Sequence, residues 1–459
     1  MADHHLAALP ELSWNPSAPA DVLLRLLKHD DRAIRRNVVQ RRDLPVHVAE
    51  VILADPDPEL RSEFALSANA DPALRARLLD DPSPKVLMAL AIGPIAYRKA
   101  VEPLPDRAYE RLLAHPDRRI RGEAVTSHAV PAHLLAGLAD HTDGPLRKAA
   151  CRAWDTLTDD AKEALLHDED LDVRRAAALQ VCRQDAERTA WLVESLANSW
   201  HRETVLRHGM LSRELAERLV AEDDPGFVAA NPFLPPDLVR RLAAHPDPRV
   251  RLVVSARPEL TERERAAVDY TVGPEDRLDV LDWVWDARDD PEVLRRCATS
   301  AHIWLRRSAA VCPGLEPDLV ELLSRDEDFA VRLLLCEFHP EPPPELLLDL
   351  YLHGSHRAVL MFAAHPRFPA GGLAARFADS TDPEERRLAL TDPELPAETL
   401  AEFARDPERR WAAARHPRVP VPLLRELLDN PDTTHLAAGN PSLPAEDMHR
   451  LLDGAGVPV

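Results

Sequence analysis

The sequence predicts an all-α fold, a solenoid of roughly 17 two-helix repeats of about 23–27 residues each. Three observations carry that expectation. Related strings recur along the chain: "VHVAEVILADPDPELRSEFALSAN" (46–69), "DRAYERLLAHPDRRIRGEAVTSHA" (106–129) and "PDLVRRLAAHPDPRVRLVVSARPEL" (236–260). Proline is abundant, at 43 residues against 14 glycines, and it recurs at intervals instead of pooling in a linker, which punctuates many short helices. Between the prolines, apolar residues fall at helical spacing. A chain of 459 residues is too long for one compact core, and with aromatics at 5% the interior falls to Leu, Ala and Val.

The longer helices are expected to open at Pro19, Pro45, Asp71, Pro105, Pro131, Thr158, Asp185, Ser212, Pro235 and Thr261. The second half continues with Leu278, Pro317, Pro343, Pro369, Pro396, Pro420 and Pro444. The whole chain, 1–459, reads as one continuous solenoid. Residues 1–18 form its N-terminal cap, and 445–459 a C-terminal cap whose "GAGVPV" end is frayed. A long step from 71 to 105 marks an insertion at 92–106, and uneven steps mark 185–310 as irregular central repeats. The unit at Pro235 shows the mechanics. Pro235 and Pro236 open a helix where a missing N–H costs nothing. Leu238 and Leu242 share one face, "HPDP" stops the helix, and Asp247 caps a second one that turns Val250, Val253 and Val254 inward. Neither helix buries its stripe alone, so neighbouring units must stack.

The run "PPDLVRRLAAHPDPRVRLVVSARP" (235–258) resembles the units of the variant leucine-rich repeat family. The resemblance covers nearly the whole chain and is clearest at 10–90, 105–180, 230–260 and 385–450. It implies an α-helix paired with a short α- or 3-10 helix in each unit, and a right-handed superhelix without sheet. Founding-type members hold an iron–sulfur centre on an N-terminal cysteine cluster. Here the first cysteine is Cys151, so no cofactor is expected.

Charge and cysteine usage narrow the function. A net charge of −21 argues against nucleic acid as partner. Arginine supplies nearly all the positive charge, lysine occurring only at 28, 85, 99, 148 and 162. The five cysteines (151, 182, 297, 312, 336) are scattered without ligand spacing, which suits a reduced, cytoplasmic protein. No apolar run reaches membrane-spanning length, so no membrane partner is expected.

Asp and Arg recur four apart at the second-helix entrance, as Asp57–Arg61, Asp117–Arg121, Asp247–Arg251 and Asp328–Arg332, with Asp31–Arg35, Asp143–Arg147, Asp170–Arg174 and Asp382–Arg386 in the same register. Each Asp is expected to cap its helix and pair with the Arg one turn on. His339, His365 and His416, each before proline, occupy the corner slot that elsewhere holds Asn15, Asn231 and Asn440, which suggests left-handed helix ends and not metal ligands. No nucleophile elbow, phosphate loop, dinucleotide fingerprint or zinc motif is present, so no enzymatic role and no metal site are expected.

Tryptophan placement discriminates further. In register with the unit at Pro235, Trp200 and Trp411 fall in the slot of Val250 and Trp285 in that of Leu242, so these three are expected in the core. Trp191 and Trp283 replace Arg241 and Arg240, and Trp304 precedes the inward Leu305; these three are expected at the surface as binding anchors. The repeat degrades most in "NSWHRETVLRHGML" (198–211) and "YTVGPEDRLDVLDWVWDARDD" (270–290), which add His201, Arg207 and Asp286 as candidates. The expected function is a noncatalytic scaffold for a protein or peptide, monomeric or weakly oligomeric. The alternative is nucleic-acid binding or base processing with Trp283, Trp285 and Asp286 at its centre.

Overall fold

The structure, a computed structural model, describes residues 2–94, 101–196, 200–222, 225–273 and 276–459. Its regular elements are 33 α-helices and three 3-10 helices, with no strand among the described residues. The expected single solenoid divides into two compact units, Met1–Ala177 with Leu373–Val459, and Ala178–Gly372.

Most helices open where the repeat predicts; Pro369 does not open one, the helix after it being the short Leu373–Arg376. Helix Pro236–Ala243 starts with proline at its first position and buries Leu238, Val239 and Leu242. Asp247 then accepts the Arg249 N–H at 2.8 Å, and helix Pro248–Ser255 buries Val250 and Val254. The same cap recurs at Asp57, Asp117 and Asp328, on the N–H groups of Glu59, Arg119 and Val331. An oxygen at that position satisfies a donor that the first helical turn leaves free.

The arginines behave otherwise than expected. None of the four pairs Asp57–Arg61, Asp117–Arg121, Asp247–Arg251 and Asp328–Arg332 forms a salt bridge; within each, the only bond is the helical one from the Arg N–H to the Asp carbonyl. Helical side chains lean toward the N-terminus, so each Arg reaches past the cap to the corner behind it, and Arg61, Arg121 and Arg251 also reach across to the next repeat. Arg121 donates to the carbonyls of His115 (2.8 Å) and Pro116 (3.1 Å) and pairs with Asp143. Arg251 does the same with His245, Pro246 and Asp269. Arg61 forks onto Asp81 at 2.6 and 3.0 Å, and Arg332 holds the Asp326 carbonyl. Asp57 receives Arg35 and Asp328 receives Arg307, each from the preceding repeat. What reads as a ladder of local surface pairs is a set of clamps between repeats.

The corners before proline are a second tie. Gly93, before Pro94, is the exception at φ 68°. At His339 (φ −73°), His365 (φ −72°) and His416 (φ −72°) the backbone is extended, not left-handed, because a following proline excludes the helical region. The side chain reaches back one repeat instead. Asn231 donates to Leu206 O and Gly209 O at 2.8 and 2.9 Å, and Asn440 to Ala414 O and His416 O at 2.7 and 3.0 Å. Arg257 and Arg41 bond two carbonyls each from the same slot.

In the first unit this tie crosses from one end of the chain to the other. Asn15 donates to Ala438 O and Asn440 O, both at 2.8 Å. Helix Ala2–Trp14 packs on helices Thr434–Ala438 and Ala445–Gly454, and one hydrophobic cluster holds Leu9 and Leu12 with Met448 and Leu452. Residues 1–18 and 445–459 therefore do not end a stack as separate caps; each covers the other. The "GAGVPV" end is not frayed either. Arg25, buried, donates to Val457 O at 2.7 Å and Asp453 at 2.6 Å, and Val457 is buried. In the expected insertion 92–106, residues 95–100 lie outside the described residues; Glu102 and Leu104 are tied to Arg75 and Tyr109.

The second unit holds the irregular central repeats. Leu278 does not open a helix: after helix Glu262–Ala266 the described chain has no helix until Asp282–Asp286. Arg307 fixes this segment through Asp276 O (2.9 Å) and Gly273 O (3.3 Å), and Ser308 receives Leu281 N at 3.1 Å.

Candidate binding cleft

The irregular segment leaves an opening in the second unit where a regular repeat would place a helix. A cleft of about 470 Å³ results, within the range of ligand pockets. Its apolar wall is Trp283, Trp304 and Phe233. Both indoles are fixed by their N–H groups: Trp283 donates to Ala256 O at 3.1 Å and Trp304 to Asp279 O at 2.8 Å. Only ring faces and edges are left for a ligand. Phe233 is 40% exposed.

Four of the six sequence candidates, Trp283, Trp304, Asp286 and Arg207, meet in this cleft. Trp191, on helix Ala186–Ser195, and His201, whose ring stacks on Trp200 at 4.1 Å, do not line it. Trp411 is half-buried against the core as expected. Two other tryptophan expectations fail. Trp200 is 70% exposed, because helix Trp200–His208 begins at it and buries Val205 and Leu206 instead. Trp285 is 40% exposed, because the helix opens at Asp282 and puts Val284 in the inward slot. Two residues apart on a helix, Trp283 and Trp285 point about 200° apart. Trp285 lines a second opening of about 370 Å³ with Phe338 and Leu334.

Charge in the cleft is mixed. Arg183, Arg207 and Arg277 line it together with Asp279, Asp282 and Asp286. His208 Nε2 lies 3.2 Å from Asp282 and Arg207 lies 3.8 Å away. The His208 bond, with the charges of His208, Arg207 and Arg183, holds the Asp282 carboxyl below its ordinary value. The Arg207 guanidinium also sits over the Phe227 ring at 5.3 Å, which fixes its direction. Sequence reading missed Arg183, Arg277 and Phe233. Phe233 was legible: "NPSAP" (15–19) and "NPSLP" (440–444) carry Ser where "NPFLP" (231–235) carries Phe. Ser17 bonds Pro441 O at 2.6 Å and Ser442 bonds Pro417 O; phenylalanine cannot make that bond.

His302, buried, caps helix Ile303–Ala310, which carries Trp304. Its Nδ1 accepts Trp304 N–H at 3.2 Å, and its Nε2 meets Ser255 Oγ at 2.8 Å. Because Ser255 donates to Leu252 O, it accepts from His302, which sets a neutral ring. Burial, with Arg265 and Arg306 nearby, pushes its pKa down to about 4 from 6.5. The unfolded chain therefore takes up the proton first. His302 stabilisation is complete above pH 6.5 and declines on acidification until about pH 4, a loss on the order of 3 kcal/mol. His302→Asn is expected to flatten that slope in urea titrations between pH 4 and 7; an unchanged slope would place the titration elsewhere.

The five cysteines are free and buried, and burial pushes the Cys297 and Cys336 thiols up to about 12, the reverse of an activated thiolate. Among the described residues no group of His, Cys, Asp and Glu is placed to hold a metal, and no helix is long and apolar enough to cross a membrane.

Fold and site together define an all-helical repeat protein with a cleft of ligand size at an irregular segment of its repeat. No family model matches the chain, and no curated protein matches it. A crystal structure described as an engineered protein is 14% identical across 95% of this chain and 98% of that one, with a TM-score of 0.18, too low to bear on fold or function.

Proposed function

We propose that the protein is a noncatalytic helical-repeat scaffold of the variant leucine-rich repeat type, which binds a protein or peptide partner in the cleft of the second unit. The observation that supports it is the coincidence of two features. The repeat loses its register between helices Glu262–Ala266 and Asp282–Asp286, and there it sets two immobilised tryptophans beside Arg183 and Arg207, whose guanidinium groups lack close ion-pair partners. Rigid aromatics flanked by arginine are the usual anchors of an interface. Free, buried cysteines suit a reducing compartment such as the cytoplasm. Base processing is the weaker reading, since Trp283 and Trp285 face different openings and the chain carries −21 net charge.

The test is affinity capture from a lysate of the source organism, with and without nuclease, using wild type, Trp191→Ala and Phe233→Ala. A protein held by wild type and Trp191→Ala but lost from Phe233→Ala supports the cleft. Capture that all three share sinks it, and capture abolished by nuclease favours nucleic acid.

A further inference from the structure

We infer that the cleft recognises a carboxylate carried next to an apolar side chain, as at the end of a peptide chain that closes in a large apolar residue. The inference rests on the binding-scaffold reading and sharpens it. Two of the arginines that line the cleft gather at one aspartate. Arg183 and Arg207 flank Asp282, whose Oδ2 already receives His208. The contact to Asp282 leaves most of the donors of these two guanidinium groups unused. Arg183 is exposed, and its guanidinium makes no hydrogen bond or ion pair among the described residues; Arg207 reaches Asp282 only at 3.8 Å. This contrasts with the clamp arginines, most of which are held by carbonyls and carboxylates at hydrogen-bond distance, and with Arg257, which lines the same cleft but is spent on Ala229 O, Asn231 O and Glu259. The cleft thus holds guanidinium donors still open to a ligand.

The rest of the cleft fixes what accompanies the anion. Trp283 already has Arg296 over its ring at 5.6 Å and its N–H bonded, and Trp304 has its N–H bonded. With no indole donor left, this wall favours an apolar or aromatic side chain over a polar one. Phe233 extends the wall. A guanidinium fork matches the planar carboxylate. A polyanion would be repelled by the chain's −21 net charge, whereas a single carboxylate meets mainly the local pole within a Debye length of about 8–10 Å.

The probes are small and defined: N-acetylphenylalanine, its neutral amide and phenyl phosphate, followed by ligand-observed NMR on the full chain. N-acetylphenylalanine should bind about tenfold more tightly than the amide, the scale of a charge-assisted bond. Arg183→Gln/Arg207→Gln, with its fold checked by circular dichroism, should erase that preference while leaving amide binding in place. If the amide binds as well as the acid, or the preference survives in the double variant, the anion pole is wrong and the apolar cleft stands. Phenyl phosphate binding without the acid overturns the carboxylate assignment. If none of the three binds, the cleft reading falls with the inference.

Discussion

Deleting residues 1–18 is expected to strip protection from the C-terminal repeat of the first unit and to drive the truncated chain into self-association. Helix Ala2–Trp14 contributes Ala8, Leu9 and Leu12, each 0% exposed, to the cluster that also holds Ala437, Ala438, Met448, Leu451 and Leu452. Full burial of a leucine stabilises by about 1.5–3 kcal/mol, so Leu9 and Leu12 alone carry much of what a domain can lose. The deletion also removes Asn15, whose side chain satisfies the carbonyls of Ala438 and Asn440. What is exposed is a repeat face shaped to receive another repeat, so a second molecule can take the vacant place. Hydrogen exchange should report faster exchange in helix Ala445–Gly454, and sedimentation a concentration-dependent increase in mass. A monomer with unchanged protection there would mean the contact contributes little. Asn15→Ala should move exchange in the same direction by a smaller amount, since it removes the bonds but keeps the leucines.

Much of this architecture was legible in the sequence, and the misreadings share a cause. Helix starts, Asp caps and apolar faces depend on residues within one turn, which a repeated string displays directly. Arg61 was misread because its partner Asp81 is 20 residues away, so an Asp four residues before it looked sufficient. The corner asparagines were misread for the same reason: their partners lie on the preceding repeat, and Asn15 finds Ala438 at a separation of 423 residues. A trace of that contact existed in the likeness of "NPSAP" (15–19) to "NPSLP" (440–444). The site was half legible. Trp283, Trp304, Arg207 and Asp286 stood out as departures from the repeat, but Trp285 was assigned to the core by counting from Leu278. The helix opens at Asp282 instead, and slot-counting across an irregular segment cannot detect such a shift.

Replacing Arg307 should have the largest effect of any single side chain near the cleft. Its guanidinium forks onto Asp328 at 2.9 and 2.8 Å, both partners under 10% exposed, and also holds Asp276 O and Gly273 O. One side chain thus joins the next repeat to the segment that shapes the cleft. Arg307→Ala leaves Asp328 buried without its countercharge, a change that costs about 3–5 kcal/mol for such a pair, and frees the segment's carbonyls. Arg307→Lys keeps the charge but loses the fork, so it should recover only part of the loss. The amide of Leu281, bonded to Ser308 Oγ, is the local reporter and should exchange faster in both variants. The effect should also depend on pH. Burial alone would raise the Asp328 carboxyl, but the Arg307 bond and the Val331 amide hold it below its ordinary 3.8. A depressed carboxyl contributes stability that is complete above its unfolded value and is lost as pH falls through the folded one. The gap between wild type and Arg307→Ala should therefore be full at pH 7 and shrink as the pH drops below about 4. A gap that stays constant across that range would mean Arg307 acts through its carbonyl bonds and packing, not through its charge on Asp328.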